Sequence, residues 1–530
     1  MESRGRPSPA RNRTVRRARG RSPAPLLPPL GLALALAAPA GVFGQAPDTP
    51  AGTLTLTLRP VRDGGPDVTA IEVRSELDPG PGAGDLLHLS APVDYPGVAG
   101  VADRVRDLDV RDARGPVPFR VEDDPPAPGG FPFFRHWRAE RPVEYPVTIS
   151  YRSPVQPPGG PNGPPFGIRP TAGGVSGAGA SFLVLPRGEY DVRASVRWDL
   201  GDLAPGSVGI TTFGDGDFEL TGSAADFMQG WYLAGPANRY PEQGDRDGFS
   251  AAWLGDAPFD AEREMAWAAG LYRYLAGAFG YLDPPRYRVF MRILDAPPYG
   301  GGTALASSFM LSRGPAGTGD DDGSPRVTFA HEMIHMWVGG IEAPQGVSSW
   351  FSEGLTTHYT RLLPMRGGFD PVDEYGRSVN EAFRSYFTSA SRNLSADSIA
   401  RLGFGDEEIR HIPYLRGSFY FADLDAKIRA ASGGARDLDA VLGDLSERRE
   451  HGERFDHDAW TRTVVREIGP EARDRFEAVI LRGETIVPAS DAFGPCFERR
   501  PARLAAAGRD VEGFEWVRVP GIPDEVCRGG

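Results

Sequence analysis

The chain has 530 residues, of which 40% are hydrophobic and 24% charged. This composition excludes an intrinsically disordered protein and is too long for a single core of ordinary size, so two or three domains are expected. A formal charge of -13 argues against nucleic acid as a partner, and the 58 basic residues include a single lysine, Lys427, so individual arginines are weak markers of anion sites.

The first segment reads as an export signal over residues 1–44. Met1 to Arg21 carries Arg4, Arg6, Arg11, Arg13, Arg16, Arg17, Arg19 and Arg21 against one acid, Glu2, and the apolar run "LLPPLGLALALAAPAGVFG" follows, ending in small residues near Ala40 and Gly44. An uncleaved membrane anchor is the alternative, but Pro28, Pro29 and Pro39 interrupt a run barely long enough to span a bilayer. Without those eight arginines and Glu2 the formal charge of -13 becomes -20. The expected location is periplasmic or extracellular, with membrane contact only through this segment if it stays attached.

Residues 45–234 alternate apolar and polar positions in "TLTLTL" (Thr53 to Leu58), "AIEVRSEL", "VTISYRS", "SFLVLP" and "YDVRASVRW", separated by Gly/Pro turns, which predicts an all-β domain. The stretches "DDPPAPGGFP" and "SPVQPPGGPNGPPFG" read as its surface loops. Near Phe259 the period changes. "FDAEREMAWAAGLYRYLAGAFG" has helical spacing and ends on Gly280, a C-cap candidate, and is followed by a strand, "YRVFMRIL", and the Gly-rich "YGGGTALASSFML". Helical patterns then dominate from Thr328 to about Leu481. The fold class is α+β, a β domain followed by a mainly helical domain over 235–482. "GTGDDDGSP", with Asp320, Asp321 and Asp322, lacks calcium-loop spacing and reads as a solvated acidic loop.

The second domain carries "TFAHEMIHMW". Residues four apart on a helix project from one face, so His331 and His335 can direct both rings at one metal ion with Glu332 beside them. A catalytic zinc takes three protein ligands and keeps a fourth position open. Glu353 of "WFSEGLTTHY", 18 positions after His335 with Gly339, Gly340 and Pro344 between them, supplies the third if a second, antiparallel helix returns to the metal. One zinc per chain is expected, with Glu332 as general base toward a zinc-activated water. His358 falls within reach of an outer shell but reads better as a satisfied helix histidine, and His88, His136, His411, His451 and His457 show no ligand-like spacing.

"HEMIHMWVGG" followed by "WFSEGLTTHY" resembles the gluzincin metallopeptidases, most nearly the glycyl-aminopeptidase-type family, with the aminopeptidase N family as a cousin. "YLRGSFYFADLDAKIR" is similar to the Tyr-x-Lys-Gly segment of both, with Arg416 in the lysine place. The resemblance implies a thermolysin-like catalytic domain behind a β domain, with His331, His335 and Glu353 as zinc ligands, Glu332 as base, and Tyr414 as hydrogen-bond donor to the developing oxyanion. From the residues alone, packing is the better explanation of Tyr414.

Two departures from that pattern matter, the first for the turn between the two helices and the second for substrate mode. The gap before the ligand glutamate is one residue shorter than in the aminopeptidase N family. No acid stands between Gly300 and Leu311, where that family places the glutamate that captures a substrate's free amine. Gly301, Gly302, Thr303 and Ala304 instead offer backbone hydrogen bonds to an extended peptide. Glu342 and Asp320 to Asp322 are acids outside the motif that could fold into the site.

The last segment, 483–530, holds both cysteines, Cys496 and Cys527. In an exported protein they read as one disulfide pinning a C-terminal tail, two unrelated buried thiols being the alternative.

These readings together describe an exported zinc metallopeptidase acting on peptide or protein substrates, with a slight preference for endopeptidase over aminopeptidase action. The reading from another class is a catalytically silent binding protein that keeps the fold.

Overall fold

In a computed structural model, the described residues are 52–529 except 81–85, 96–97, 99, 127–132, 158–164, 189–190, 282, 298, 300, 317–323, 345, 403–405 and 507–508. The expected signal at 1–44, the Asp320 to Asp322 loop and parts of both Pro-rich loops lie outside them. None of the helices among the described residues is long and apolar enough to cross a membrane.

The first part is built of three sheets. In the largest, of seven strands, Gly52–Val61 sits centrally, parallel to Asp191–Trp198 and antiparallel to Ala70–Asp78. Alternation decides its facing: Leu54, Leu56 and Leu58 are buried while Thr53 is exposed. Four of the five predicted strand segments form strands of this sheet. "SFLVLP" does not. Gly179–Ser181 is a 3-10 turn and only Leu185–Pro186 pairs as strand. Phe182, Leu183 and Val184 are buried in succession, and the Val184 N–H is satisfied by the Tyr151 hydroxyl at 2.8 Å. A run buried on every side needs no two-residue period.

A five-stranded sheet joins the two parts, ordered 238–240, 249–254, 287–293, 308–313 and 302–305. Its central strand, Tyr287–Ile293, sends Phe290 into the β core and Val289 and Met291 into the helical core. Arg292, 1% exposed, follows Phe290's side, and its guanidinium donates to the carbonyls of Pro165, Gly167 and Ser176. One sheet thus belongs to two cores.

Ten helices complete the described fold: α1 (Ala261–Ala278), α2 (Arg326–Ile334), α3 (Ser349–Arg366), α4 (Val372–Thr388), α5 (Ala396–Leu402), α6 (Glu407–Ala431), α7 (Leu438–Glu450), α8 (His457–Ile468), α9 (Glu471–Phe476) and α10 (Asp524–Arg528). Helix α1 starts on Asp260, whose side chain accepts from the Arg263 N–H, and ends before Gly280 at φ 86°, the left-handed cap that glycine adopts without strain. The closing segment is more than a tail. Strands Phe497–Ala506 and Arg509–Arg518 form a hairpin that buries Phe497, Leu504 and Trp516 in the helical core. The Asn380 side chain on α4 holds the Trp516 backbone in both directions, at 2.9 and 2.8 Å. Cys496 and Cys527 are disulfide-bonded.

Candidate metal centre

Helix α2 is anchored from below. The Tyr287 hydroxyl donates to the Glu332 carbonyl at 3.0 Å, and Trp337, just past the helix, stacks on Phe279 with ring centroids 5.3 Å apart. Helix α3 is set by an unusually close crossing with α6. A Cβ on Gly354 would lie 2.6 Å from the Gly417 Cα, and one on Gly417 would lie 2.3 Å from the Trp350 carbonyl oxygen. Only glycine at both positions lets the two backbones touch, which is the physical content of the glycines in "SEG" and "YLRG". The crossing brings Tyr414 of α6 beside Glu353 of α3.

The result is a tight triangle. His331 Nε2 and His335 Nε2 are 3.2 Å apart, and each lies 3.3 Å from Glu353 Oε2. Among the described residues these three form the one cluster of ligand side chains able to hold a metal ion. Ligands about 2.0–2.1 Å from a tetrahedral zinc stand roughly 3.3 Å from one another, so the triangle matches three corners of that tetrahedron, and two imidazoles with one carboxylate is a catalytic donor set.

The charges fit the same use. Burial alone would raise the Glu353 carboxyl, but the His335 charge and the hydrogen bonds of both imidazoles outweigh it and hold the group well below the usual carboxylate range. Burial tends to lower His335, and Glu353 more than reverses it, so His335 is raised. Glu332, 7% exposed, is raised by burial against the opposing pull of His331 and His335, while the Ala304 N–H donates to its carboxylate. Tyr414 is raised well above an ordinary phenol, first by burial and then by Glu353 and Glu332, and it hydrogen-bonds Glu353. Its ring stacks on that of His331 at 5.9 Å and 14°. It is therefore a protonated donor throughout the neutral range.

The strand Gly302–Leu305 is the sheet edge beside this site, paired only with Ser308–Arg313. Gly302 faces α2: a Cβ there would lie 2.7 Å from Thr328 Cγ2 and 2.9 Å from Glu332 Cγ. Gly301 takes φ 77° on entry to the strand, and the Thr303 hydroxyl is bonded to the Gly302 carbonyl. Of the acids outside the motif, Glu342 is paired with Arg454, half exposed and committed elsewhere.

Sequence reasoning missed three neighbours of the site. Thr356 Oγ1 lies 3.3 Å from His335 Nδ1 and Thr360 Oγ1 lies 3.4 Å from His331 Nδ1; the i, i+3, i+7 spacing from Glu353 was the available signal. His411 stands edge-on to Tyr414, ring centroids 5.5 Å apart. His358 is buried among Asp425, Arg366, Asp439 and Arg361 rather than beside the ligands.

The sequence matches no protein-family profile and no curated protein. Solved structures do match. An aminopeptidase N family protein from Idiomarina loihiensis aligns at TM-score 0.65 and 14% identity, over 84% of this chain and 79% of that one. A point variant of a two-domain M1 zinc metallopeptidase bound to L-tryptophan aligns at 0.50 and 17%, over 83% and 95%. The chain has the fold of the aminopeptidase N family. Yeast LTA4 hydrolase in complex with bestatin also aligns, at 0.50 and 15%, over 82% and 68%. At these identities the likeness covers architecture, the β-rich part followed by a helical one, and the roles of individual side chains rest on the local geometry.

Proposed function

We propose that the chain is a zinc-dependent peptidase. The observation that carries this reading is the triangle of His331, His335 and Glu353 at 3.2–3.3 Å with Glu332 buried beside it. A zinc ion held there would polarise a scissile carbonyl and acidify a water to a pKa of about 7. Glu332, with its raised pKa, is suited to take a proton and return it to the leaving amine. Tyr414, whose hydroxyl is bonded to Glu353 here, would turn its one hydrogen to the carbonyl oxygen as negative charge develops there. The edge strand Gly302–Leu305, whose Ala304 N–H is taken by Glu332, would offer its remaining outward main-chain groups to an extended peptide.

The test is metal content with turnover. Wild-type protein should hold about one zinc per chain, His335→Ala should lose it, and Glu332→Gln should keep the metal and lose hydrolysis of a casein-type substrate. A Glu332→Gln chain with undiminished rates would remove Glu332 as base, and a wild-type chain that holds zinc without cleaving peptides would favour the silent binding reading.

Endopeptidase action is the mode the residues favour, because the edge strand from Gly301 to Leu305 carries no acid for a substrate ammonium. Aminopeptidase action is the second reading, supported by the family likeness of the fold. Comparing one peptide with a free and an acetylated N-terminus separates them, strong preference for the free amine selecting aminopeptidase. Export belongs to the same proposal and rests on residues 1–44; a mature N-terminus near Gly41 to Ala46 in protein from its native compartment is the expected result.

A further inference from the structure

We propose that Thr356 and Thr360 are positioning residues for the two histidine ligands, each accepting a hydrogen bond from an imidazole Nδ1–H. The proposal rests on the zinc reading of the site. Thr360 decides the matter for His331. Its hydroxyl donates to the Thr356 carbonyl oxygen at 2.8 Å, and a hydroxyl has one hydrogen to give. Toward His331 Nδ1, at 3.4 Å, the Thr360 oxygen can therefore only accept. Nδ1 must carry the hydrogen, and Nε2 keeps its lone pair. Nε2 is the atom that faces His335 Nε2 and Glu353 Oε2 at 3.2 and 3.3 Å. The tautomer that this hydrogen bond imposes is the one a metal ligand needs.

A like spacing recurs one turn away. Thr356, fully buried, places Oγ1 3.3 Å from His335 Nδ1, while His335 Nε2 faces Glu353 Oε2 at 3.3 Å. The pairs run in opposite senses along the chain, Thr356 with His335 and Thr360 with His331, as antiparallel helices require. Glu353, Thr356 and Thr360 share one face of α3, so a single helix supplies both the carboxylate ligand and the two acceptors that aim its partners. Hydroxyl oxygens orient the rings without adding charge to the ligand set, unlike the carboxylates that often fill this role.

The experiment compares Thr360→Val, which keeps the shape and loses the acceptor, with Thr360→Ser, which keeps the hydroxyl, and likewise at Thr356. Zinc affinity is read by competition with a chromophoric chelator, on chains first shown by circular dichroism to be folded. Each valine variant should bind zinc roughly 10- to 100-fold more weakly, and each serine variant close to wild type. Independently of zinc, ¹⁵N-histidine spectra of the metal-free wild-type chain at alkaline pH should show His331 as the Nδ1–H tautomer, with Thr360→Val giving a mixture. Valine variants of undiminished affinity would overturn the proposal. So would serine variants as weak as valine, which would assign the effect to methyl packing, or a His331 found as Nε2–H. A wild-type chain that takes up no zinc would overturn the peptidase reading, while the tautomer measurement would still decide the role of Thr360.

Discussion

Gly302→Ala tests how the edge strand and the base are coupled. The added Cβ would fall 2.7 Å from Thr328 Cγ2, 2.9 Å from Glu332 Cγ and 3.0 Å from Glu332 Oε1, against an ordinary carbon–carbon contact of about 3.5–4.0 Å. Strand and helix must separate by roughly 1 Å, or Glu332 must leave its rotamer and the Ala304 N–H with which it is bonded. Overpacking of this size costs about 1–3 kcal/mol of stability. Misplacement of a catalytic group by about 1 Å costs on the order of 100-fold in rate. The three atoms nearest the new methyl belong to Thr328 and Glu332 and not to His331, His335 or Glu353, so zinc content should be unchanged. Gly301→Ala is the control, since that Cβ would meet nothing within 4 Å and only the φ of 77° penalises it. The assay is kcat/KM on an internally quenched peptide, with zinc measured on the same samples. Undiminished kcat/KM in zinc-loaded Gly302→Ala would refute the coupling of strand to base.

Tyr414→Phe should lower kcat by about 100-fold or more with little change in KM, because an oxyanion donor acts mainly in the transition state; an unchanged kcat would leave Tyr414 as a packing residue. His358 is lowered from 6.5 to about 4, chiefly by burial, so the folded chain keeps it neutral while the unfolded chain protonates first. Its contribution is therefore complete above pH 6.5 and lost as pH falls toward 4, with a slope approaching ~1.4 kcal/mol per pH unit; urea midpoints of wild type and His358→Gln should differ in pH dependence across that window and no other. Reducing Cys496–Cys527, which closes a separation of 31 residues, should lower stability by about 3–4 kcal/mol on chain-entropy grounds, read as a drop in the urea midpoint with reductant.

The pairing of His331 with His335 was legible because helix periodicity turns spacing into direction: residues four apart share a face in any helix, and α2 supplies one. The strands of the seven-stranded sheet were legible for the same kind of reason, their burial alternating with period two as in Gly52–Val61. "SFLVLP" misled because a run buried on all sides has no period. The C-terminal hairpin was read as a tail because the apolar side chains it buries, Leu504 and Trp516, are too sparse in sequence to announce a core contribution.

By itself, then, the sequence determined which residue types face one another within a single helix or strand, because those relations are set by covalent geometry and backbone period. Relations between elements were decided only in three dimensions. The Gly354–Gly417 contact that carries Tyr414 to Glu353, the approach of Gly302 to Glu332, and the reach of Thr356 and Thr360 to the histidines all depend on the distances and angles between packed elements. Those quantities follow from the packing of two whole surfaces, with contributions from residues far apart in the chain, and no local spacing encodes them.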